Sequence, residues 1–199
     1  GESHGKALGC IVDGVPAGIK IDEEFNETLK GIDRYNSLQR ILNFGNVALS
    51  ETEKEKFMEE KNEKYLTLLN DLNEAHILEG IKGFIIALKE EKFELAVASA
   101  SKNAPLILKK IGLYKYFDII VDPSSVRGKP FPDIFQKGAE LLELNINECV
   151  GIEDSSAGID AINDAGIFSI GIGDKEILGK ADVVLKSTKL LSLDFINGL

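Results

Sequence analysis

The chain has 199 residues, of which 44% are hydrophobic and 28% charged, and its formal net charge at pH 7 is −10. This length suits one large domain or a core with a small inserted domain, and the composition excludes a largely disordered chain. The negative charge disfavours nucleic acid as a partner, although local Lys and Arg residues can still bind small anions.

The sequence also predicts where the protein resides. It contains neither an apolar run of about 18 residues nor a basic-then-apolar leader, so we expect no membrane partner and no secretory signal. Cys10 and Cys149 are the two cysteines, and they lie far apart without CxxC spacing. Reduced thiols and a reducing, cytoplasmic location follow from this pattern, and we expect a monomer.

Residues 23–77 are predicted to be mainly helical and to form a cap domain. The stretches 37–42 and 50–72 carry apolar residues at spacings of three and four, which is the helical period. Ser50 and Glu53 form a capping-box pattern at the start of the second stretch.

From residue 78 onward, short apolar runs alternate with amphipathic stretches. This alternation predicts an α/β fold with a parallel sheet covered by helices, so we place a doubly wound core at 78–199. The predicted strands are 95–99, 118–122, 149–154, 168–173 and 182–186, and the predicted helices are 80–90, 103–112, 131–143 and 156–165.

Reactive side chains follow three of the predicted strands, where ligands of open α/β sheets bind. After the first strand, Ser99, Ser101 and the nearby amides could bind a phosphate at a helix N-terminus. Simple N-capping of the helix by Ser101 is the alternative. After the second strand, Pro130 and Pro132 stiffen the loop that carries Lys129, although a lone loop lysine can also be merely solvated.

The third strand ends in two adjacent carboxylates, Glu153 and Asp154. Their charges repel, and a Mg²⁺ ion would relieve the repulsion through oxygen ligands. The alternative is a pair of acids favoured by the dipole of the following helix. Ser155 or Ser156 can cap that helix, and Gly158 allows it to pack closely on the sheet.

The order of these groups, hydroxyl, then lysine, then acid pair, resembles the motifs of the haloacid dehalogenase superfamily. The motifs are ASASKN, GKPFPDIF and GIEDSSAGI, and LKGIDRYNSLQRIL (29–42) and EEKNEKY (59–65) are similar to cap segments of its β-phosphoglucomutases. The resemblance covers about residues 19–199. It implies a haloacid-dehalogenase-like (Rossmann-like) parallel sheet core with a helical cap domain.

The resemblance also implies an activity, a cofactor and a set of site residues. The activity is Mg²⁺-dependent phosphoryl transfer on a hexose phosphate, converting β-glucose 1-phosphate to glucose 6-phosphate through a phosphoaspartate. The implied residues are Ser99, the amide of Ala100 and Lys129 for the transferring group; Arg34, Ser101, Lys102 and Asn103 for the distal phosphate; Ser37 and Lys61 for the sugar; and Glu153 and Asp154 for the metal.

The opening segment CIVDGV (10–15) departs from the family pattern. The family's motif is of DxDGV type, in which the first Asp is the nucleophile and the second is the general acid and base. Asp13 matches the second Asp, but the nucleophile position holds Ile11, which has no lone pair. Only Pro16 and Ala17 separate Val15 from the segment that begins at Gly18, so part of the cap is missing. We therefore expect impaired activity.

Residues 1–22 resemble a different family, the chorismate synthases, through GESHG and the GVPAG that follows. His4 would be the acid catalyst by that match. We infer a junction between a head at 1–22, which can supply the first core strand, and a mutase-like body. A silent binder of sugar phosphate and Mg²⁺, another sugar phosphatase of the same superfamily, and an FMN-binding piece of a chorismate synthase are the alternatives.

Overall fold

The computed structural model describes residues 21–199. The predictions for His4, Cys10, Ile11 and Asp13, and for the head as a whole, fall outside these residues. None of the helices within 21–199 is long and apolar enough to cross a membrane.

Among the described residues, three α-helices precede the core: α1 (Glu23–Glu27), α2 (Arg34–Phe44) and α3 (Glu51–Leu68). The predicted capping box at α3 is confirmed. Ser50 Oγ accepts a hydrogen bond from the Glu53 amide at 3.3 Å, and Glu53 Oε2 accepts one from the Ser50 amide at 2.8 Å. Two otherwise unpaired amides at the helix start are satisfied in this way, which explains why α3 begins there.

The core alternates strands and helices as the sequence predicts. Its strands are β1 (Ala96–Val97), β2 (Ile119–Ile120), β3 (Val150–Glu153), β4 (Phe168–Ile172) and β5 (Val183–Leu185). Its helices are α4 (Ile81–Glu90), α5 (Ala104–Lys110), α6 (Asp133–Leu141), α7 (Ser156–Asp164), α8 (Lys175–Leu178) and α9 (Leu193–Asn197). Each strand lies inside its predicted segment but is shorter than it, because pairing partners extend over only part of each apolar run.

All strand pairs within the described part of the chain are parallel. β1 pairs with β2, and β3, β4 and β5 form a second sheet in that order. The register of the second sheet places Gly151 opposite Ser169 and Glu153 opposite Gly171. The α/β class with parallel strands and covering helices is therefore confirmed.

The main core lies between the second sheet and α6 and α7. Ile159 and Ile162 are spaced three apart on α7, so both face the sheet, and both are almost completely buried. Ile134 of α6 and Val121 after β2 join the same cluster. This packing fixes the strand ends from which the candidate site is built.

Candidate active site

A cleft of about 930 Å³ opens at the carboxyl ends of β1 and β3 and beneath α2 and α3. It brings together every site residue predicted within 21–199. These are Arg34, Ser37 and Lys61 from α2 and α3, Ser99, Ala100, Ser101, Lys102 and Asn103 from the loop after β1, Lys129, and Glu153 and Asp154. The roles of these residues remain predictions.

The loop after β1 presents hydroxyls and amides toward the cleft. The Ser101 amide donates to Ser99 Oγ at 3.1 Å, and the Asn103 amide donates to Ser101 Oγ at 3.2 Å. Helix α5 begins at Ala104 with Asn103 as its N-cap, and no side chain makes a capping bond. The hydroxyl of Ser101 therefore orders the turn before the helix and does not cap the helix itself.

Lys129 is buried and paired with a carboxylate. Its Nζ lies 2.6 Å from Glu153 Oε2, and the two side chains are only 5% and 10% exposed. The ammonium also lies 4.9 Å from the centre of the Phe135 ring. A merely solvated loop lysine would not make these contacts, so the lysine is positioned by the core.

The other oxygen of Glu153 fixes the start of α7. Ser155 Oγ donates to Glu153 Oε1 at 2.7 Å and accepts from the Gly158 amide at 3.1 Å, so Ser155 is the N-cap. A Cβ on Gly158 would lie 2.1 Å from Glu153 Cδ. Glycine at this position therefore leaves room for the Glu153 side chain.

Asp154 lies beside this pair and remains open to solvent on the cleft side. Loss of surrounding water raises the pKa of the Asp154 carboxyl, and the negative charge of Glu153 raises it further. A cation between the two acids would oppose both effects.

The two carboxylates at the end of β3 are suitable ligands for Mg²⁺. Residues 21–199 contain no group of three or more His, Cys, Asp or Glu side chains arranged to hold a metal. However, Mg²⁺ commonly binds through one or two carboxylates, several waters and substrate phosphates. Glu153 and Asp154 supply the carboxylates, and Asp13, a further acid by resemblance, lies outside the described residues.

On α2, Arg34 is held by a residue that the sequence analysis did not single out. Asn62 Oδ1 accepts hydrogen bonds from Arg34 Nη2 at 2.8 Å and from Asn103 Nδ2 at 3.0 Å. One amide oxygen therefore joins α2, α3 and the loop after β1. The sequence feature that could have pointed to Asn62 is its neighbour Lys61, which the resemblance assigns to the sugar.

The segment between α1 and α2 lies directly against the core. Gly31 has a φ of +75°, and a Cβ there would lie 2.1 Å from Ser155 Oγ. Both the left-handed backbone and the close contact require glycine at this position.

The cleft combines cationic side chains with three acidic ones, Asp33, Glu153 and Asp154. Four cationic side chains line it: Arg34, Lys61, Lys102 and Lys129. Because Lys129 is paired with Glu153, the cations that remain for a dianionic ligand come mainly from α2, α3 and the loop after β1. Such an arrangement favours a phosphate placed between the two parts.

Comparison with known proteins agrees with this geometry. The model of the family described as haloacid dehalogenase-like hydrolase matches residues 10–172. The β-phosphoglucomutase of Bacillus subtilis (strain 168) is 40% identical over 182 residues, which are 90% of this chain and 80% of that protein. The crystal structure of β-phosphoglucomutase from Clostridium difficile is 45% identical with a TM-score of 0.88, covering 91% of this chain and 82% of that one.

A second similarity is short. A stretch of 25 residues is 96% identical to the chorismate synthase of Aliarcobacter butzleri (strain RM4018), and it covers 13% of this chain and 7% of that enzyme. The resemblance to chorismate synthases is therefore confined to one small segment.

Proposed function

The chain belongs to the haloacid dehalogenase-like hydrolase family, and from that membership we propose that it binds a hexose phosphate and transfers its phosphoryl group, converting β-glucose 1-phosphate to glucose 6-phosphate. The observation that carries the proposal is the cleft in which the cap residues Arg34 and Lys61 face the core residues Ser99 and Lys129. A substrate with a phosphate and a sugar hydroxyl needs binding groups from both sides.

The two ends of such a substrate meet different groups. Arg34 can bind the distal phosphate with two parallel N–H bonds, and Ser101, Lys102 and Asn103 contribute from the core side. Ser99, the amide of Ala100 and Lys129 bind the oxygens of the transferring group. Positioning and charge neutralisation of this kind account for most of the catalysis of phosphoryl transfer.

A bound Mg²⁺ would be held by Glu153 and Asp154 and would neutralise charge on the phosphoryl oxygens. Lys129, placed 2.6 Å from Glu153, balances the charge of that carboxylate and can donate a further N–H to the same oxygens. The protein also needs a base for the attacking sugar hydroxyl. Asp13 takes that proton in the proposal, and it returns a proton to the departing oxygen in the reverse step.

The residue at the nucleophile position does not fit the proposed reaction. By resemblance an Asp would stand at position 11 and accept the phosphoryl group, but Ile11 has no lone pair to attack phosphorus. We expect turnover to be reduced by several orders of magnitude, as is usual when a covalent nucleophile is absent. The protein would remain a cytoplasmic, monomeric binder of the sugar phosphate.

The experiment that tests the function measures glucose 6-phosphate formed from β-glucose 1-phosphate with Mg²⁺ and catalytic glucose 1,6-bisphosphate. Turnover that disappears in Asp154→Asn supports the proposed reaction and metal position. Fast turnover in the unchanged chain would contradict the assignment of position 11.

A second variant tests position 11 directly. Ile11→Asp supplies the missing carboxylate, and Ile11→Asn is the matched control, since it has the same size without the nucleophilic oxygen. A large gain in rate for the Asp variant alone supports the proposal. Equal rates in both variants would contradict it.

Silent binding is a second candidate function, and Ile11 is the observation that favours it. Calorimetric titration of the unchanged chain with glucose 6-phosphate separates the candidates. Binding that weakens in Arg34→Met but produces no turnover indicates a binder. Release of inorganic phosphate without isomer formation would instead indicate a sugar phosphatase of the same family.

A further inference from the structure

Two tyrosines line the cleft, Tyr35 from α2 and Tyr65 from α3, and their hydroxyls differ in what they contact. The Tyr35 hydroxyl donates to Glu51 Oε2 at 3.2 Å and accepts from Gln39 Nε2 at 2.9 Å. In the part of the chain that the structure describes, the Tyr65 hydroxyl has no hydrogen-bond partner, and its ring has no aromatic or cationic partner. Both the ring and the hydroxyl of Tyr65 are therefore available to a ligand.

Tyr65 lies on the face of α3 that borders the cleft. Three further residues of this helix line the cleft with it: Met58, Lys61 and Asn62. Spacings of three and four place all four on one side of the helix. Arg34 fixes this face, since its Nη1 donates to the Met58 carbonyl at 3.4 Å and its Nη2 donates to Asn62 Oδ1 at 2.8 Å. Tyr65 thus follows Lys61 by one helical turn and faces the same ligand.

The exposure of Tyr65 shows which kind of contact it can make. Tyr65 is 39% exposed although it lies on the wall of a concave cleft. A phenol ring gives nothing to a phosphate group, but it packs well against C–H groups, and its hydroxyl forms hydrogen bonds at its edge. Ligand sites commonly combine such apolar walls with a few polar groups that fix orientation. The part of the ligand that meets Tyr65 should therefore be uncharged and partly apolar.

A pyranose ring has this chemistry. In glucose the ring hydroxyls point outward from the ring edge, so the C–H groups form a flat apolar surface on each face. An open-chain polyol has the same hydroxyls but no flat face, and it loses more conformational freedom when it binds. An aromatic wall therefore distinguishes the two forms, whereas the cationic side chains of the cleft do not.

We propose that Tyr65 determines specificity for the cyclic form of a sugar phosphate, by packing its ring on one face of the sugar and hydrogen-bonding a sugar hydroxyl through its own hydroxyl. The inference rests on the proposed function, because it requires a sugar phosphate in the cleft. It extends that function by assigning the recognition of the sugar ring to a residue that neither the motifs nor the charges of the cleft indicate.

Calorimetric titration of the full-length protein in Mg²⁺ tests the proposal with three ligands: glucose 6-phosphate, sorbitol 6-phosphate and inorganic phosphate. Sorbitol 6-phosphate carries its phosphate at the same carbon as glucose 6-phosphate but has no ring. The variants are Tyr65→Leu and Tyr65→Phe. Tyr114→Leu is the matched control, because Tyr114 is 43% exposed and does not line the cleft.

Tyr65→Leu should weaken the binding of glucose 6-phosphate by about twofold to tenfold, which is the scale on which aromatic contacts contribute. The affinity for inorganic phosphate should stay the same, so the preference for glucose 6-phosphate over sorbitol 6-phosphate should fall. Tyr65→Phe should keep most of this preference because the ring remains. Tyr114→Leu should bind all three ligands like the unchanged chain.

The outcomes separate this inference from the function on which it rests. A Tyr65→Leu variant that binds glucose 6-phosphate with an unchanged preference over sorbitol 6-phosphate would overturn the inference alone. An equal loss for all three ligands would also overturn it, since that result indicates a general change in the cleft. If the unchanged chain binds no glucose 6-phosphate, the proposed function fails and the inference fails with it. Thermal unfolding of each variant verifies that the titrated protein is folded.

Discussion

Lys129 and Glu153 form a buried ion pair, with Nζ 2.6 Å from Oε2, between two segments that lie 24 residues apart in the chain. The pair neutralises one of the two acids at the end of β3 and leaves Asp154 as the acid open to the cleft. Glu153 also accepts from Ser155 Oγ, so the ion pair is tied to the start of α7.

Removing the lysine should destabilise the fold strongly. Lys129→Met leaves Glu153 buried without a counter-charge, which typically costs about 3–5 kcal/mol in the free energy of unfolding. Adding Glu153→Gln should recover part of the loss. Lys137→Met is the control, because its pair with Glu140 is exposed and should contribute about 0–1 kcal/mol. Urea unfolding measures all four proteins, and equal losses in the two lysine variants would contradict the prediction.

A methyl group at Gly158 should displace Glu153. Gly158→Ala places a Cβ 2.1 Å from Glu153 Cδ, so the carboxylate must leave Lys129 or α7 must shift. We expect lower stability despite the better helix propensity of Ala. Gly83→Ala on α4 is the matched control, since nothing lies within 4 Å of its Cβ. That variant should gain about 0.8–1 kcal/mol. Thermal unfolding should therefore move the two midpoints in opposite directions.

Asn62 should affect substrate binding more than stability. Asn62→Ala removes the acceptor shared by Arg34 and Asn103, and the loss of each hydrogen bond should cost about 0.5–1.5 kcal/mol. Because Arg34 then keeps only its longer hydrogen bond of 3.4 Å to the Met58 carbonyl, we expect weaker binding of glucose 6-phosphate in calorimetry. Asn70→Ala, at an exposed position after α3, is the control. Unchanged affinity in the Asn62 variant would show that Arg34 is positioned by other contacts.

Stability at low pH should depend on Asp118. The hydrogen bond from Lys89 is the main cause that lowers the pKa of Asp118 below its ordinary value of 3.8, and the Leu95 amide adds to it. The pKa of Asp118 is lower in the folded state than in the unfolded state. The Asp118 carboxylate therefore contributes its full stabilisation of the folded state at pH values above its unfolded pKa. It is lost as the pH falls through the folded pKa.

The measurement is the free energy of unfolding in urea from pH 6 down to pH 3. Asp118→Asn should remove this contribution and flatten the acid end of the profile relative to the unchanged chain. Lys89→Met should reduce the same part of the profile. A profile for Asp118→Asn that falls as steeply as that of the unchanged chain would contradict the assignment.

The sequence by itself predicted the order of helices and strands, and it predicted reactive side chains at the strand ends; the resemblance to a known family supplied the other candidate residues. The capping box of Ser50 and Glu53 involves atoms three residues apart, and the alternation of apolar runs with amphipathic stretches reflects the periods of strands and helices. The position of Glu153 and Asp154 at a strand end follows from the same local pattern. Patterns of this kind can be recognised without knowing the fold, because the interacting groups are neighbours in the chain.

The tertiary structure alone decided how the site residues are paired. The burial of Lys129 against Glu153 joins residues 24 apart, and the bridge from Asn62 to Asn103 joins residues 41 apart. The same holds for the close approach of Gly31 to Ser155. These contacts depend on how helices and strands pack, which local propensity does not encode. A lysine in a proline-rich loop therefore resembles a solvated residue until the core closes around it.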